Sequence, residues 1–320
     1  MSIAPFSPRF ITARDGTRLR TAVFEADPVM LRSDPGATPG EPRSTRGVCV
    51  LLHGQTEFIE KYFEVIGELQ ARGFTVATFD WRGQGGSARL LGDPLTAHIA
   101  DFAQYDDDLA SFLEQIVKPI SPRPPLALAH SMGAHNLLRT LHDRPGAFSA
   151  AALTAPMLAI ATRGYPAPLA RAVTALQYFA GQSDAFAWGM AARDPFLVNF
   201  DTQLVTSDRA RFARTQDFLK QNPPLRLAGP SWGWIEAAYR SMEHVMAPGF
   251  AEAIHTPVLI CGAGKDRIVR VEAERAFARR LPHGTYVELA DAEHEILQEN
   301  DSIRARFWQA FDDFAGELPS

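Results

Sequence analysis

Cysteine is scarce in this chain, and long apolar runs are absent. Only two of the 320 residues are cysteines, Cys49 and Cys261, and each lies in a short apolar run. We therefore expect two buried thiols in a reducing compartment and no disulfide. No apolar run reaches the roughly 20 residues that a membrane-spanning helix needs. Residues 1–16 lack the basic and apolar regions of a secretory signal. We expect a cytoplasmic protein, and peripheral contact with the inner membrane stays open.

An excess of positive charge is also absent. The chain has 32 lysine and arginine residues against 37 aspartate and glutamate residues, which gives a formal net charge of −5. The two signs are interspersed, so the sequence offers no basic face and no nucleic-acid partner is expected. Hydrophobic residues make up 46% of the chain, which is ample for a buried core. The expected partner is a small molecule, and the sequence leaves the oligomeric state undetermined.

Short apolar runs alternate with helical patterns along most of the chain. The runs lie at residues 48–54, 75–81, 126–131, 150–156, 257–262 and 285–290. Strands that alternate with helices form a mostly parallel sheet with helices on both faces, so we predict an α/β fold. Residues 10–24 alternate around Asp15-Gly16, which predicts a leading hairpin with a type I′ turn. Residues 32–47 are rich in proline, glycine and serine, which predicts a surface loop.

The alternation of strands and helices stops between residues 157 and 256. Helix-like segments lie there near 167–181, 207–221 and 231–247. An insertion between two sheet strands is best placed over the carboxyl edge of the sheet, where open α/β folds bind their ligands. We therefore predict three parts. They are a first core segment over residues 1–156, an inserted helical cap over 157–250, and a second core segment over 251–320.

A serine lies where the apolar run 126–131 gives way to a helical pattern. Ser131 has Ala129 two positions before it and Gly133 two positions after it. A nucleophilic serine on a strand–turn–helix elbow has a strained backbone, and small residues at these two positions let strand and helix approach. The usual pattern is Gly-x-Ser-x-Gly, which Gly133 matches and Ala129 approximates. Ser131 is the candidate nucleophile, and an ordinary serine at a strand end is the alternative.

A serine hydroxyl needs a base to accept its proton and an acid to orient that base. Asp266 follows the predicted strand at 257–262, and His294 follows the last predicted strand. Because parallel strands have their carboxyl ends at one edge of a sheet, we predict that Ser131, Asp266 and His294 meet there as a catalytic triad. Taken singly, Asp266 also fits a turn or helix-cap residue, and His294 a solvated loop residue.

Three other acids near the site fit the role of triad acid less well. Asp80 precedes Ser131 in the chain, whereas the acid is expected to follow it. Asp291 and Glu293 are too close to His294 in sequence for the usual position of the acid. Asp266 is therefore preferred.

Two further histidines flank Ser131, and a partial metal-binding pattern begins at His294. His130 is expected to point away along its strand, and His135 to pack on the following helix. The pair His294-Glu295 resembles the start of a zinc-protease motif, but Gln298 stands where the second histidine would be. We predict no metal and no cofactor.

Negative charge that develops on a substrate carbonyl oxygen must be met by preorganised N–H donors. One candidate donor is the backbone N–H of Met132. The other is the backbone N–H of Gln55, in the segment LLHGQTEFIEKY that follows the first central strand. His53-Gly54 suits such a loop, although a turn that needs glycine only for its conformation is the alternative reading.

Several segments together carry a family resemblance. They are LLHGQTEFIEKY, FDWRGQGGSARLLGDPLTAHIADFAQYDDDL, LALAHSMG, ALTAPM, AGPSWGWIEAA and ADAEHEIL. From residue 10 to residue 316 the chain resembles the bacterial lysophospholipases related to monoacylglycerol lipases, within the α/β-hydrolase superfamily. Those lysophospholipases also have an Ala-His-Ser-Met-Gly elbow. Thr56 is a departure, because many monoacylglycerol lipases have glycine there.

The resemblance implies an α/β-hydrolase fold and hydrolysis of one acyl ester of a lipid with a polar head, through an acyl-serine intermediate. It gives the triad roles to Ser131, Asp266 and His294, and the oxyanion-hole roles to Gln55 and Met132. A capped hydrolase of small non-lipid esters or peptides is one alternative. A non-catalytic ligand-binding homologue is an alternative of another class.

The predicted cap contains many aromatic side chains, which as a set could line an apolar tunnel, whereas internal packing is the alternative for any one of them. They are Tyr165, Tyr178, Phe179, Phe186, Trp188, Phe196, Phe200, Trp232 and Trp234. Burying a methylene contributes about 0.8 kcal/mol, so a long acyl chain would be a principal source of affinity. Four arginines in the cap are candidates to meet a phosphate head group. They are Arg163, Arg171, Arg193 and Arg209.

Overall fold

The structure is a computed structural model, and it describes residues 7–26, 46–162, 164–188 and 198–317. Nearly all of the predicted loop 32–47 lies outside these ranges. The strands are β1 (Arg9–Thr12), β2 (Arg18–Phe24), β3 (Val48–Leu52), β4 (Thr75–Phe79), β5 (Thr96–Ala97), β6 (Leu126–His130), β7 (Ala150–Thr154), β8 (Gly229–Pro230), β9 (Val258–Ala263) and β10 (Gly284–Leu289). The helices are α1 (Phe63–Ala71), α2 (Ala103–Phe112), α3 (Lys118–Ile120), α4 (Ser131–Asp143), α5 (Ala167–Phe179), α6 (Arg209–Gln221), α7 (Trp232–Met246), α8 (Val271–Ala278) and α9 (Asp301–Gly316).

Eight of these strands form one sheet in the order β1-β2-β4-β3-β6-β7-β9-β10. Strand β2 is antiparallel to both β1 and β4, and every other neighbouring pair is parallel. The central strands β3, β6 and β7 are buried along their whole length, as apolar runs covered on both faces should be. The predicted mostly parallel sheet is confirmed. Its carboxyl edge collects the loops that follow β3, β6, β9 and β10.

Each central strand sends alternate side chains into two apolar clusters, one on each face of the sheet. In β3, Val48, Val50 and Leu52 pack in the cluster that contains residues of α2, α4, α7 and α8. Cys49 and Leu51 pack in the opposite cluster with α1 and α9. The helices therefore lie on both faces of the sheet, as predicted.

The leading hairpin is present, but its turn differs from the predicted type I′ turn. The Gly16 N–H donates to the Ala13 carbonyl at 2.9 Å, and the Ala13 N–H donates to the Thr17 carbonyl at 2.8 Å. Gly16 has a φ of 88°, whereas Asp15 is not among the described residues with positive φ. The loop is thus a three-residue connection that needs the left-handed conformation only at glycine. A type I′ turn would also force Asp15 into that region, at a steric cost.

Helices α5, α6 and α7 occupy the insertion between β7 and β9, close to the predicted segments. Helix α5 packs against α7, and Trp234 of α7 is buried in the core against Phe102. In α6, the Arg211 guanidinium pairs with Glu64 of α1 at 2.5 Å and with Asp301 of α9 at 2.6 Å. The insertion is therefore joined to the core by apolar contacts through α7 and by ion pairs through α6.

Both cysteines are buried, free thiols. Burial raises the pKa of the Cys49 thiol, and it raises the pKa of the Cys261 thiol to about 12. Within the described ranges, no helix has the length and apolar character needed to cross a membrane.

Glu274 of α8 is a buried carboxyl that forms no ion pair with the described residues. Neither of its carboxyl oxygens has a hydrogen-bond partner among the described residues. A Cβ added to Gly262 of β9 would lie 2.7 Å from Glu274 Oε2, so the carboxyl presses directly against the sheet. Burial, together with the negative charge of Asp266, raises the pKa of Glu274 to about 9. The side chain is therefore neutral at pH 7.

We predict that this carboxyl destabilises the protein progressively as pH rises. Its pKa is higher in the folded than in the unfolded chain, so the folded state binds more protons and the unfolding free energy falls between about pH 4.5 and pH 9. The slope from this group is at most about 1.4 kcal/mol per pH unit. Glu274→Gln should remove this component of the slope in urea unfolding measured at several pH values. Glu272→Gln, at an exposed site on the same helix, should leave the slope unchanged. An unchanged slope in Glu274→Gln would refute the assignment.

Candidate active site

Ser131 lies on a sharp turn between β6 and α4. It is the first residue of α4, and its φ of 51° lies in the left-handed region, which confirms the predicted backbone strain. Such a conformation costs on the order of 1–3 kcal/mol for a non-glycine residue. A Cβ added to Gly133 would lie 2.7 Å from the Leu52 carbonyl oxygen and closer still to that of His53. Only glycine at position 133 therefore lets α4 approach the end of β3 this closely.

The three residues predicted to form a triad form a hydrogen-bonded chain in which His294 lies between Ser131 and Asp266. His294 Nε2 lies 3.0 Å from Ser131 Oγ, and His294 Nδ1 lies 2.6 Å from Asp266 Oδ2. The other carboxylate oxygen of Asp266 accepts the backbone N–H groups of Ile268 and Val269 at 2.7 and 2.9 Å. These bonds fix the carboxylate, which in turn fixes the imidazole with one nitrogen toward the serine.

The charges of Asp266 and His294 stabilise each other in a buried setting. The Asp266 side chain is fully buried, and that of His294 is 6% exposed. Burial by itself would raise the pKa of Asp266, but His294 and the two backbone donors outweigh it and hold that pKa below its ordinary value. Burial by itself would lower the pKa of His294, but Asp266 outweighs it and raises that pKa. The site therefore favours an imidazolium next to a carboxylate, the pair that forms when histidine accepts a proton.

The loop after β3 lies directly against the serine. A Cβ added to Gly54 would lie 3.2 Å from Ser131 Cβ and 3.1 Å from His130 Cδ2. The next residue is Gln55, one of the two predicted oxyanion donors. The other, Met132, lies in the first turn of α4, where backbone N–H groups have no partner within the helix. Both predicted donors thus lie in segments that meet beside Ser131.

Thr56, the departure noted in the sequence, has an unusual backbone conformation. Its φ is 65°, in the region that glycine adopts more readily. The Thr56 N–H donates to Gln84 Oε1 at 2.6 Å, and its hydroxyl donates to Gln55 Oε1 at 2.5 Å. These bonds hold the non-glycine residue in place, so the loop keeps a conformation that glycine would take without support.

The acids set aside in the sequence have other partners in the structure. Asp80 is fully buried and accepts the Arg20 Nε–H at 2.6 Å and the Ile59 N–H at 2.9 Å. Asp291 lies 3.6 Å from Lys265, and Glu293 lies 3.2 Å from Arg267. None of these contacts involves His294.

The two histidines near Ser131 differ in their placement. The His130 ring does not point away along the strand as expected, because its centre lies 4.8 Å from that of His294. Its Nδ1 lies 3.1 Å from Thr154 Oγ1, and burial lowers the pKa of His130 to about 3. His135 lies in α4, as expected, with its Nε2 2.7 Å from Ser241 Oγ. His130 is thus a neutral ring beside the candidate base, with the two ring planes tilted by 57°.

A group of buried charges beside the triad was missed in the sequence. Lys61 Nζ lies 2.7 Å from Glu57 Oε1 and 2.6 Å from Glu295 Oε1. Glu57 Oε2 accepts the Tyr62 hydroxyl at 2.7 Å and the Gly54 N–H at 2.5 Å. The available signal was the i, i+4 spacing of Glu57 and Lys61 beside the glycine of the predicted oxyanion loop. Nothing in the sequence linked this pair to Glu295.

No group of three or more histidine, cysteine, aspartate or glutamate side chains in the described part of the chain is arranged to hold a metal ion.

The aromatic residues of the insertion do not share one environment. Trp232 and Trp234 are buried, whereas Tyr165, Phe179 and Trp188 are 69%, 81% and 68% exposed. Phe196 lies outside the described residues. The expectation that the whole set lines a tunnel is therefore wrong for the three exposed side chains, which face solvent.

Two of the four candidate phosphate-binding arginines are already paired. Arg171 contacts Glu236 at 2.5 Å and Glu243 at 3.0 Å. Arg209 contacts Asp201 at 2.7 Å. Arg163 and Arg193 lie outside the described residues. Arg171 and Arg209 are thus engaged by carboxylates, which compete with any phosphate.

Comparison with known proteins gives consistent similarities. The model of the family Hydrolase_4, described as serine aminopeptidase, S33, matches residues 43–301. Lysophospholipase L2 of Escherichia coli strain K12 is 34% identical over 279 residues, which cover 83% of this chain and 79% of that protein. A monoacylglycerol lipase of Mycolicibacterium smegmatis is 26% identical over 236 residues, covering 74% of this chain and 76% of that protein.

A solved structure gives the same fold. The crystal structure of a soluble variant of monoglyceride lipase from Saccharomyces cerevisiae, in complex with a substrate analog, superposes with a TM-score of 0.76. The match covers 99% of this chain and 97% of that one at 17% sequence identity. At this identity the likeness concerns the fold alone.

Proposed function

Since the chain belongs to the Hydrolase_4 family of serine aminopeptidase S33 type, within the α/β-hydrolases, we propose that it hydrolyses the ester of a single-acyl lipid. The substrate class is a lysophospholipid or a monoacylglycerol, and the reaction passes through an acyl-serine intermediate. The observation that carries this proposal is the buried chain of hydrogen bonds from Asp266 through His294 to Ser131. The lysophospholipase and monoacylglycerol lipase relatives support the choice of a lipid ester.

In the first half of the reaction, Ser131 Oγ attacks the ester carbonyl carbon while its proton passes to His294 Nε2. Asp266 stabilises the imidazolium that results. The carbonyl oxygen becomes an oxyanion, which accepts hydrogen bonds from the backbone N–H groups of Gln55 and Met132. His294 then gives its proton to the leaving alcohol, and the acyl group stays on Ser131.

In the second half, the same groups act on water. His294 accepts a proton from a water molecule, whose oxygen attacks the acyl carbonyl. The tetrahedral oxyanion is again held by Gln55 and Met132. When it collapses, Ser131 regains the proton from His294 and the fatty acid leaves. No step needs a group other than the chain's own residues and water.

We assign the cap role to residues 157–250, which lie between two strands of the sheet. Helix α5 in this region has an exposed apolar stripe, because Leu169, Leu176 and Phe179 are 53%, 65% and 81% exposed. The spacings of seven and three residues place all three on one face of the helix. We propose that this stripe makes the peripheral contact with a lipid surface, from which a single-acyl lipid enters the site.

A hydrolase of peptides or small esters is the second candidate, because the matched family is described as a serine aminopeptidase. The triad geometry supports acyl transfer but is the same for an ester and an amide. The exposed apolar stripe on α5 favours the lipid. The hydrogen-bonded triad argues against a non-catalytic binding protein.

Ser131→Ala should abolish turnover of any accepted ester while the fold is kept. Removing a serine nucleophile of this kind lowers kcat by about 10⁶-fold. The measurement is steady-state hydrolysis of p-nitrophenyl esters, with circular dichroism as the fold check. Ser149→Ala, which alters an exposed serine elsewhere, is the matched control and should keep full activity. Turnover of Ser131→Ala at the wild-type rate would exclude Ser131 as the nucleophile.

A substrate panel should separate the two candidate functions. We expect kcat/KM to rise from acetyl to long-chain esters by several orders of magnitude, since each buried methylene contributes about 0.8 kcal/mol. The panel comprises monoacylglycerols, lysophospholipids, acetyl esters and aminoacyl amides, assayed with the same enzyme preparation. A preference for acetyl esters or aminoacyl amides would contradict the lipid assignment.

The double variant Leu176→Ser/Phe179→Ser should bind lipid vesicles at least about tenfold more weakly than the wild type, because two buried apolar side chains are lost from the contact. The measurement is co-sedimentation with vesicles of phosphatidylethanolamine and phosphatidylglycerol. Ile120→Ser is the control, since Ile120 is an exposed apolar residue outside the insertion. Equal binding of the double variant and the wild type would contradict the proposal that α5 contacts the lipid surface.

A further inference from the structure

A buried row of charges joins the two loops that flank the candidate nucleophile. It runs from the Gly54 N–H to Glu57 at 2.5 Å, from Glu57 to Lys61 at 2.7 Å, and from Lys61 to Glu295 at 2.6 Å. At one end, Gly54 directly precedes Gln55, the proposed oxyanion donor. At the other end, Glu295 directly follows His294, the proposed base. Lys61 is therefore the link between the two loops.

The environment of Lys61 makes this link strong. The side chains of Lys61, Glu57 and Glu295 are only 7%, 4% and 13% exposed. Buried charges are tolerated when paired, and removing one partner leaves the others uncompensated. Without the ammonium group, two carboxylates would face each other in the interior. Their repulsion would push apart the two loops that Lys61 now holds together.

Two further hydrogen bonds, each accepted by a main-chain carbonyl oxygen, hold the loop that carries His294. The Gln298 Nε2–H donates to the Lys61 carbonyl oxygen at 3.2 Å, which is a second bond between the Lys61 segment and the loop that carries His294. On the side of the insertion, the Glu295 N–H donates to the Val205 carbonyl oxygen at 2.7 Å. Loss of the Lys61 side-chain bonds should therefore displace the loop locally and leave the fold intact.

We propose that Lys61 is a positioning residue, which sets the distance between the oxyanion loop at Gln55 and the base at His294. This inference rests on the proposed serine-hydrolase function. Lys61 touches no reacting atom. It acts through Glu57 on the loop that presents the Gln55 N–H, and through Glu295 on the loop that presents His294. The oxyanion donor and the base must both be aligned with the same carbonyl group, so a shift of either loop lowers kcat.

The charges around His294 provide a second test of the positioning role of Lys61, which is the pH dependence of kcat/KM. The ionisable groups that act on His294 are Asp266 from the loop after β9, Glu57 from the segment after β3, Glu295 from its own loop, and the neutral His130 from β6. Lys61 lies between the Glu57 and Glu295 carboxylates. The negative charge of Glu295 contributes to the raised pKa of His294. His294 must be neutral to accept the serine proton. A variant that removes this charge therefore shifts the acid limb of kcat/KM to lower pH.

The test uses the full-length protein and a soluble short-chain p-nitrophenyl ester. Lys61→Met should lower kcat by about 10- to 100-fold, as expected for a displaced catalytic geometry, and leave KM within about twofold. Lys61→Arg, which keeps the charge, should recover most of kcat. Glu295→Gln, which keeps the shape, should shift the acid limb of the pH profile to lower pH. Wild-type kcat in Lys61→Met, or an unmoved limb in Glu295→Gln, would overturn the proposal.

The matched control is a second buried ion pair outside this row. Arg82 and Asp108 are 2.6 Å apart, with side chains 1% and 0% exposed. Arg82→Met should lower the urea midpoint and leave kcat of the folded fraction unchanged. If Arg82→Met lowers kcat as much as Lys61→Met, the effect is a general loss of stability and the proposal fails. Failure of the proposed function looks different, because the wild type itself would then neither turn over esters nor react with a fluorophosphonate.

Discussion

The close packing of Gly133 against the carbonyl groups at the end of β3 determines the position of the candidate nucleophile relative to the loop that follows β3. No side chain fits between α4 and those carbonyls, so the helix begins abruptly and Ser131 takes the left-handed conformation. The same contact places the loop after β3 beside the serine. The candidate nucleophile and both candidate oxyanion donors thus depend on one approach of helix to strand.

Burial around this contact sets the electrostatics. Charged groups in the interior are stable only when paired, and the site contains two paired sets. Asp266 and His294 form the first set, in which the fixed Asp266 carboxylate favours the imidazolium form of His294. Glu57, Lys61 and Glu295 form the second, and they connect the loops on either side of Ser131. The neutral His130 ring lies beside His294 without adding a charge. The result is a buried environment in which a proton can move between serine and histidine.

The sheet and the candidate triad could be predicted because their signals are local and periodic. Apolar runs gave the strands, and chain order placed Ser131, Asp266 and His294 after strands that end at one edge. The Glu57–Lys61–Glu295 row could not be predicted, because it depends on a contact between segments far apart in the chain. The predictions for the orientation of the His130 ring and for the burial of Phe179 are wrong for the same reason. Periodicity does not say which neighbour covers a face. The predicted type I′ turn at Asp15-Gly16 is wrong because this dipeptide fits more than one loop length.

The central claim is that Ser131 forms a covalent intermediate with help from His294. The most direct measurement is mass spectrometry of the protein after treatment with a long-chain alkyl fluorophosphonate, with the adduct mapped by proteolysis. The account predicts one adduct per chain, located on Ser131, and strongly slowed labelling in His294→Ala. An adduct on another residue, no adduct on the wild type, or labelling of His294→Ala at the wild-type rate would contradict it.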